Sequence, residues 1–149
     1  MIPIPDLFYK GRGTYFAAGS CTAAILFMTN TVLWVLQILL ALFFIMPGYG
    51  KLFSSRQQHI EDKHISPDGS VLPIRILGVL EWLGCIGIIL PWYTGIAPVL
   101  TPVSALGFGL IMLAGLFMHG RRKEYKMLPM LFVVFLLAAI VAYYRFTGL

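Results

Sequence analysis

The chain reads as an all-α membrane protein, a polytopic membrane four-helix bundle, and three observations lead there. Of its 149 residues, 59% are hydrophobic and 11% charged, and the mean hydropathy is +0.86. A soluble domain carries about 45–50% apolar and about 25% charged residues, so this chain cannot cover itself with polar surface in water. Its apolar residues are gathered into four stretches of roughly the 20 residues that cross a bilayer as a helix, and its charges fall mainly between them.

The first predicted span runs over 31–53, with Gln37 as its uncharged polar interruption. Pro47, Gly48 and Gly50 predict a kink or break in its last turns, and Lys51 closes it, long enough to snorkel to the interface. Residues 54–70 form a polar loop with Pro67-Asp68-Gly69 as turn chemistry. The second span covers 71–90 and is expected to stop at Pro91. Trp92 to Gly95 then make a short uncharged connection whose aromatics suit a headgroup boundary.

The third span is placed at 96–119, where Ala105, Gly107 and Gly109 offer a smooth face for helix packing or for a second copy of the chain. A short basic connection, 120–126, leads to the fourth span at 127–146. Pro129 sits in its first turn, where it is tolerated. Tyr143, Tyr144 and Arg145 read as an interfacial anchor at its end.

Residues 1–27 read as an N-terminal extension to a domain over 28–149. The apolar run 16–28 is too short to cross a bilayer as a straight helix. It fits a weak signal peptide, an outward continuation of the first helix, a surface segment, or an extension upstream of a beginning at Met28.

The net charge of +5 does not point to nucleic acid, because the basic residues flank spans and no binding motif accompanies them. Lys51, Arg56, Lys63, Arg121, Arg122, Lys123 and Lys126, seven of the eleven Lys and Arg, follow the first and third spans. By the positive-inside rule, loops 54–70 and 120–126 are cytoplasmic and both termini lie outside.

Glu81 is the most informative residue, a carboxylate near the middle of the second span. Placing such a group at bilayer depth costs a few kcal/mol, so it should face the bundle interior and have a partner. Lys51 and His119 end the first and third spans on the same side, so Glu81, Lys51, His119 and Gln37 form a candidate intramembrane polar network or ligand site. Arg75, six residues before Glu81, is about 240° away around the helix and is an unsuitable direct partner. Two readings of Glu81 stand: a proton carrier or ligand anchor, and a buried lock that fixes how the helices pack.

His59, His64, Glu61 and Asp62 do not make a metal site by spacing, and the expectation is a solvated loop of mixed charge. Cys21 and Cys85 form no C-x-x-C, and Cys85 reads as a small apolar residue inside a helix. The sequence names no cofactor and no catalytic residue.

Taken in order, several motifs resemble the DoxX family, and within it its small DoxX-like bacterial members. These are G-x-G-K-L at Gly48–Leu52, G-V-L-E-W-L-G at Gly78–Gly84, P-W-Y-T-G at Pro91–Gly95, L-T-P-V-S-A-L-G at Leu100–Gly107, M-H-G-R-R-K-E at Met118–Glu124, and Leu128-Pro129. The resemblance covers about Met28 to Phe146. It implies four membrane helices in a bacterial cytoplasmic membrane and a heterogeneous set of roles. Those roles include a subunit type associated with thiosulfate:quinone oxidoreductase, and a membrane component linking a superoxide dismutase with a sulfurtransferase. The expected function is a non-catalytic scaffold, assembly factor or subunit, in contact with the lipid bilayer and with a protein partner or a second copy. The alternatives are a membrane subunit of a quinone- or sulfur-linked oxidoreductase and a small-molecule or proton-linked transporter acting as a dimer.

Overall fold

The computed structural model describes residues 15–148, with side chains from Ala23 onward. It holds α1 (Tyr15–Phe53), α2 (Arg56–Glu61), α3 (Leu72–Thr94), α4 (Leu100–Arg121) and α5 (Leu128–Phe146). The four long helices run up and down in chain order, α1 packing on α3, α3 on α4, α4 on α5 and α5 back on α1. All four are long and apolar enough to cross a membrane. Only 22–33% of the residues in each span's apolar window are buried inside the bundle. The remaining apolar surface, including Ile38, Leu83, Leu110 and Phe132, is stable only against lipid.

Helix α1 begins well before the expected start and takes in residues 15–27, while 1–14 of the N-terminal extension lie outside the described residues. The 31 residues of its candidate span, Ala23 to Phe53, reach about 46 Å at 1.5 Å per residue, against a hydrocarbon core of about 30 Å. It must therefore tilt or project. Thr29 and Thr31 turn their hydroxyls onto the carbonyls of Ile25 and Phe27, at 2.9 Å each, which hides them on an apolar surface.

Of the kink or break expected at Pro47–Gly50, a break does not occur, for α1 continues to Phe53 with Pro47 inside it. Packing against α3 explains this. A Cβ at Gly48 would stand 2.6 Å from Trp82 Cδ1, and one at Gly78 would stand 3.0 Å from Lys51 Cβ and 3.1 Å from the Gly48 carbonyl oxygen. Glycine at both positions lets the two backbones approach closely, and the contact holds the turn that proline weakens.

Pro91 likewise does not end the second span, because α3 runs on to Thr94 and stops at Gly95, whose φ of 71° is left-handed. Proline removes the N–H that would bond the Gly87 carbonyl, and the Thr101 hydroxyl donates to that carbonyl instead, at 3.3 Å. The third helix starts four residues later than expected, since 96–99 form a turn with Ala97 at φ 49° and Leu100 N–H bonding the Ala97 carbonyl at 3.0 Å. Pro129 lies in the first turn of α5, as expected.

The core is centred on Phe44 and Phe108, whose rings stack at 3.8 Å with 5° between planes. Gly84 makes room for that stack, since a Cβ there would meet Phe108 Cε1 at 2.7 Å. Ala105 and Gly109 face inward, while Gly107 has open space beside it. The small-residue face therefore divides: two of its residues serve internal packing and the third looks outward.

Candidate functional site

Polar groups stitch the α1–α3 seam in antiparallel register. Lys51 Nζ donates to Glu81 Oε1, Trp82 Nε1 to the Ile45 carbonyl at 3.4 Å, Cys85 Sγ to the Ala41 carbonyl at 3.4 Å, and Gln37 Nε2 to the Ile88 carbonyl. As one helix number falls from 51 to 37 the other rises from 81 to 88, as antiparallel neighbours must. Cys85 is thus a weak donor in this ladder as well as a small apolar side chain.

Glu81 is 1% exposed and Lys51 16% by side chain. The lysine reaches inward from the last turn of α1, and the glutamate sits about 14 Å into α3 from Leu72 at 1.5 Å per residue. The second carboxylate oxygen, Oε2, has no hydrogen-bond partner among the described residues. It lies beside Gly48, where a Cβ would come within 3.4 Å of it.

Gln37 belongs to a second cluster at the opposite end of the bundle. Its Oε1 accepts from Arg145 Nε at 2.8 Å and from Arg145 Nη2 at 2.6 Å, and Arg145 Nη1 donates to Asn30 Oδ1 at 2.8 Å. The guanidinium lies 4.2 Å from the Trp92 ring centroid and 5.6 Å from that of Trp34, within cation–π range. Arg145 is 2% exposed, so it is not the interfacial anchor that the sequence suggested. It ends the inward stripe Ala138, Val141, Ala142, and that i, i+3, i+4, i+7 spacing was the signal that could have found it.

His119 stands apart from Glu81 and pairs with Glu124, Nδ1 to Oε2, at 2.6 Å. The four candidate residues therefore separate into three places: Lys51 with Glu81, Gln37 with Arg145, and His119 with Glu124. Asn30 and Arg145 are the polar residues that the sequence reading left out of the network.

The 54–70 connection is not simply a solvated loop. Ser55 Oγ accepts from the Gln58 N–H at 3.2 Å and caps α2, which places His59 at 1% exposure with neither ring nitrogen partnered among the described residues. His59 and His64 have ring centroids 5.8 Å apart. No group of three or more His, Cys, Asp or Glu able to hold a metal is present among the described residues.

Two apolar grooves open on lipid-facing seams, both away from Glu81. One of about 260 Å³ lies between α1 and α5 beside Val32 and Ile140, and the other, of about 390 Å³, lies between α4 and α5 beside Gly109 and Phe135.

Four apolar helices closed around buried polar seams define a multi-pass integral membrane protein. The DoxX-like family matches over residues 35–141, and the chain belongs to that family. No curated protein and no solved structure matches the chain.

Proposed function

We propose that the chain is a non-catalytic membrane component, a scaffold, assembly factor or small subunit that presents a fixed helical surface to a protein partner. The observation that carries this is the use made of the buried polar groups. Glu81 is taken up by Lys51 across α1 and α3, and Gln37 and Asn30 by Arg145 across α1 and α5. Interhelical bonds of this kind are worth about 0.6 kcal/mol on average in membranes, and they specify which helix faces pack together. Glu81, Lys51, Gln37 and Arg145 are on this account locks. His119 is a helix-end residue.

The proposed setting is a bacterial cytoplasmic membrane, with 54–70 and 120–126 inside and the termini outside, supported by the basic residues gathered in those two connections. A second reading, a proton-linked or small-molecule transporter, is favoured by the unpartnered Glu81 Oε2.

Native mass spectrometry of gently extracted wild-type protein and Glu81→Gln separates the two. The scaffold reading expects the same bound species, or none, in both forms. A bound metabolite or quinone lost specifically in a folded Glu81→Gln protein would contradict it.

A further inference from the structure

The two connections at the Lys51 end of the bundle are built alike. In the first, Lys63 N–H bonds the Ile60 carbonyl at 3.0 Å and His64 N–H bonds the His59 carbonyl at 2.9 Å. In the second, Lys123 N–H bonds the Gly120 carbonyl at 3.1 Å and Glu124 N–H bonds the His119 carbonyl at 3.0 Å. Both are the double-bonded helix ending whose central left-handed position is usually glycine. Here both positions are lysine, at φ 58° and 59°, a conformation that is uncommon for residues bearing a Cβ. A strained conformation held twice by the same charged residue points toward a use for the charge.

The two endings also meet. The Arg122 guanidinium donates to the Lys63 carbonyl, which brings Lys63, Arg122 and Lys123 together from segments 59 residues apart. All three side chains are exposed. Arg121 lies over the Phe117 ring at 5.4 Å, and Phe117 and Tyr125 are 65% and 63% exposed, as suits residues at a membrane boundary. His64 beside them is held below its ordinary value of 6.5 chiefly by partial burial, with Asp62 opposing and His59, Lys51 and Arg122 adding smaller contributions.

We propose that Lys63, Arg122 and Lys123 form a binding surface for the headgroups of anionic phospholipids. The surface sits where two spans leave the membrane, so the phosphates of the surrounding leaflet are the anions within its reach. Clustered cations beside a membrane helix gain affinity for acidic lipids with each added charge. Lysine at the left-handed position directs its side chain from the tip of the helix ending, where glycine would supply the turn alone.

The test uses the full chain in neutral detergent. Thermal unfolding is followed with added phosphatidylglycerol, phosphatidylcholine, or inorganic phosphate at the same concentration. Phosphatidylglycerol alone should raise the melting temperature, with the shift fading as salt is raised. The informative variant is Lys63→Gly/Lys123→Gly, because glycine relieves the left-handed backbone while removing both charges. It should fold at least as well as wild type without lipid and lose about fivefold in phosphatidylglycerol affinity per charge removed. Arg122→Gln should weaken it further. Equal shifts with both lipids would overturn the proposal, as would an equal shift with free phosphate or an undiminished phosphatidylglycerol effect in the double-glycine variant. A preference of the basic end for an acidic protein with no preference among lipids would overturn it as well.

Discussion

Arg145 shows how much one buried cation organises. Its planar fork takes both bonds to Gln37 and one to Asn30 while its face lies on Trp92, so a lysine with a point charge cannot replace it. Arg145→Lys should destabilise the bundle by about 1–3 kcal/mol, given what charged buried hydrogen bonds contribute, read as a lower melting temperature in detergent. Glycines two residues apart behave differently for an equally local reason. Gly48→Ala drives a methyl to 2.6 Å from Trp82 and should cost about 1–3 kcal/mol by overpacking, relieved in part by Trp82→Leu. Gly50→Ala meets nothing within 4 Å and should be neutral or stabilising by up to about 1 kcal/mol through helix propensity.

At the scale of the helices, prolines mark the places where the seams have to compensate. Pro91 frees the Gly87 carbonyl and Thr101 supplies the missing donor. Thr101→Val should then cost about 1 kcal/mol, and the same substitution should cost much less in a Pro91→Ala background, where the helix provides its own N–H. A double-mutant comparison of melting temperatures checks this. The existence and number of the spans were legible from apolar length and from charge placement. The continuation of α3 past Pro91 was not, because a proline breaks a helix only when nothing else satisfies the backbone it frees, and Thr101 lies beyond the local sequence. The sequence offered Glu81 two partners, Lys51 and His119, because both end spans on the same side of the bundle, and only Lys51 meets it. The Gln37–Arg145 pair was less visible, since the residues are 108 positions apart and an arginine next to two tyrosines at a span end reads equally well as an anchor.

Across the whole molecule, the two polar clusters sit toward opposite ends of the bundle with the Phe44–Phe108 stack in the core between them. The core specifies little about which helix faces meet, since apolar side chains gain as much from lipid as from one another. On the proposal that they are locks, the clusters supply that specification, Lys51–Glu81 across α1 and α3, and Arg145 with Gln37 and Asn30 across α1 and α5. The proposed orientation has its own check: an alkaline phosphatase fusion at the C-terminus should be active, and one placed in 120–126 inactive. The central claim, that Lys51–Glu81 is a lock, is tested most directly by a thermodynamic cycle of Lys51→Met, Glu81→Gln and the double variant, read as unfolding free energies. Lys51→Met leaves a buried carboxylate uncompensated and should cost about 3–5 kcal/mol. Glu81→Gln should cost less, because Lys51 can reach the interface. The double variant should be more stable than Lys51→Met alone, and strictly additive losses would contradict the lock.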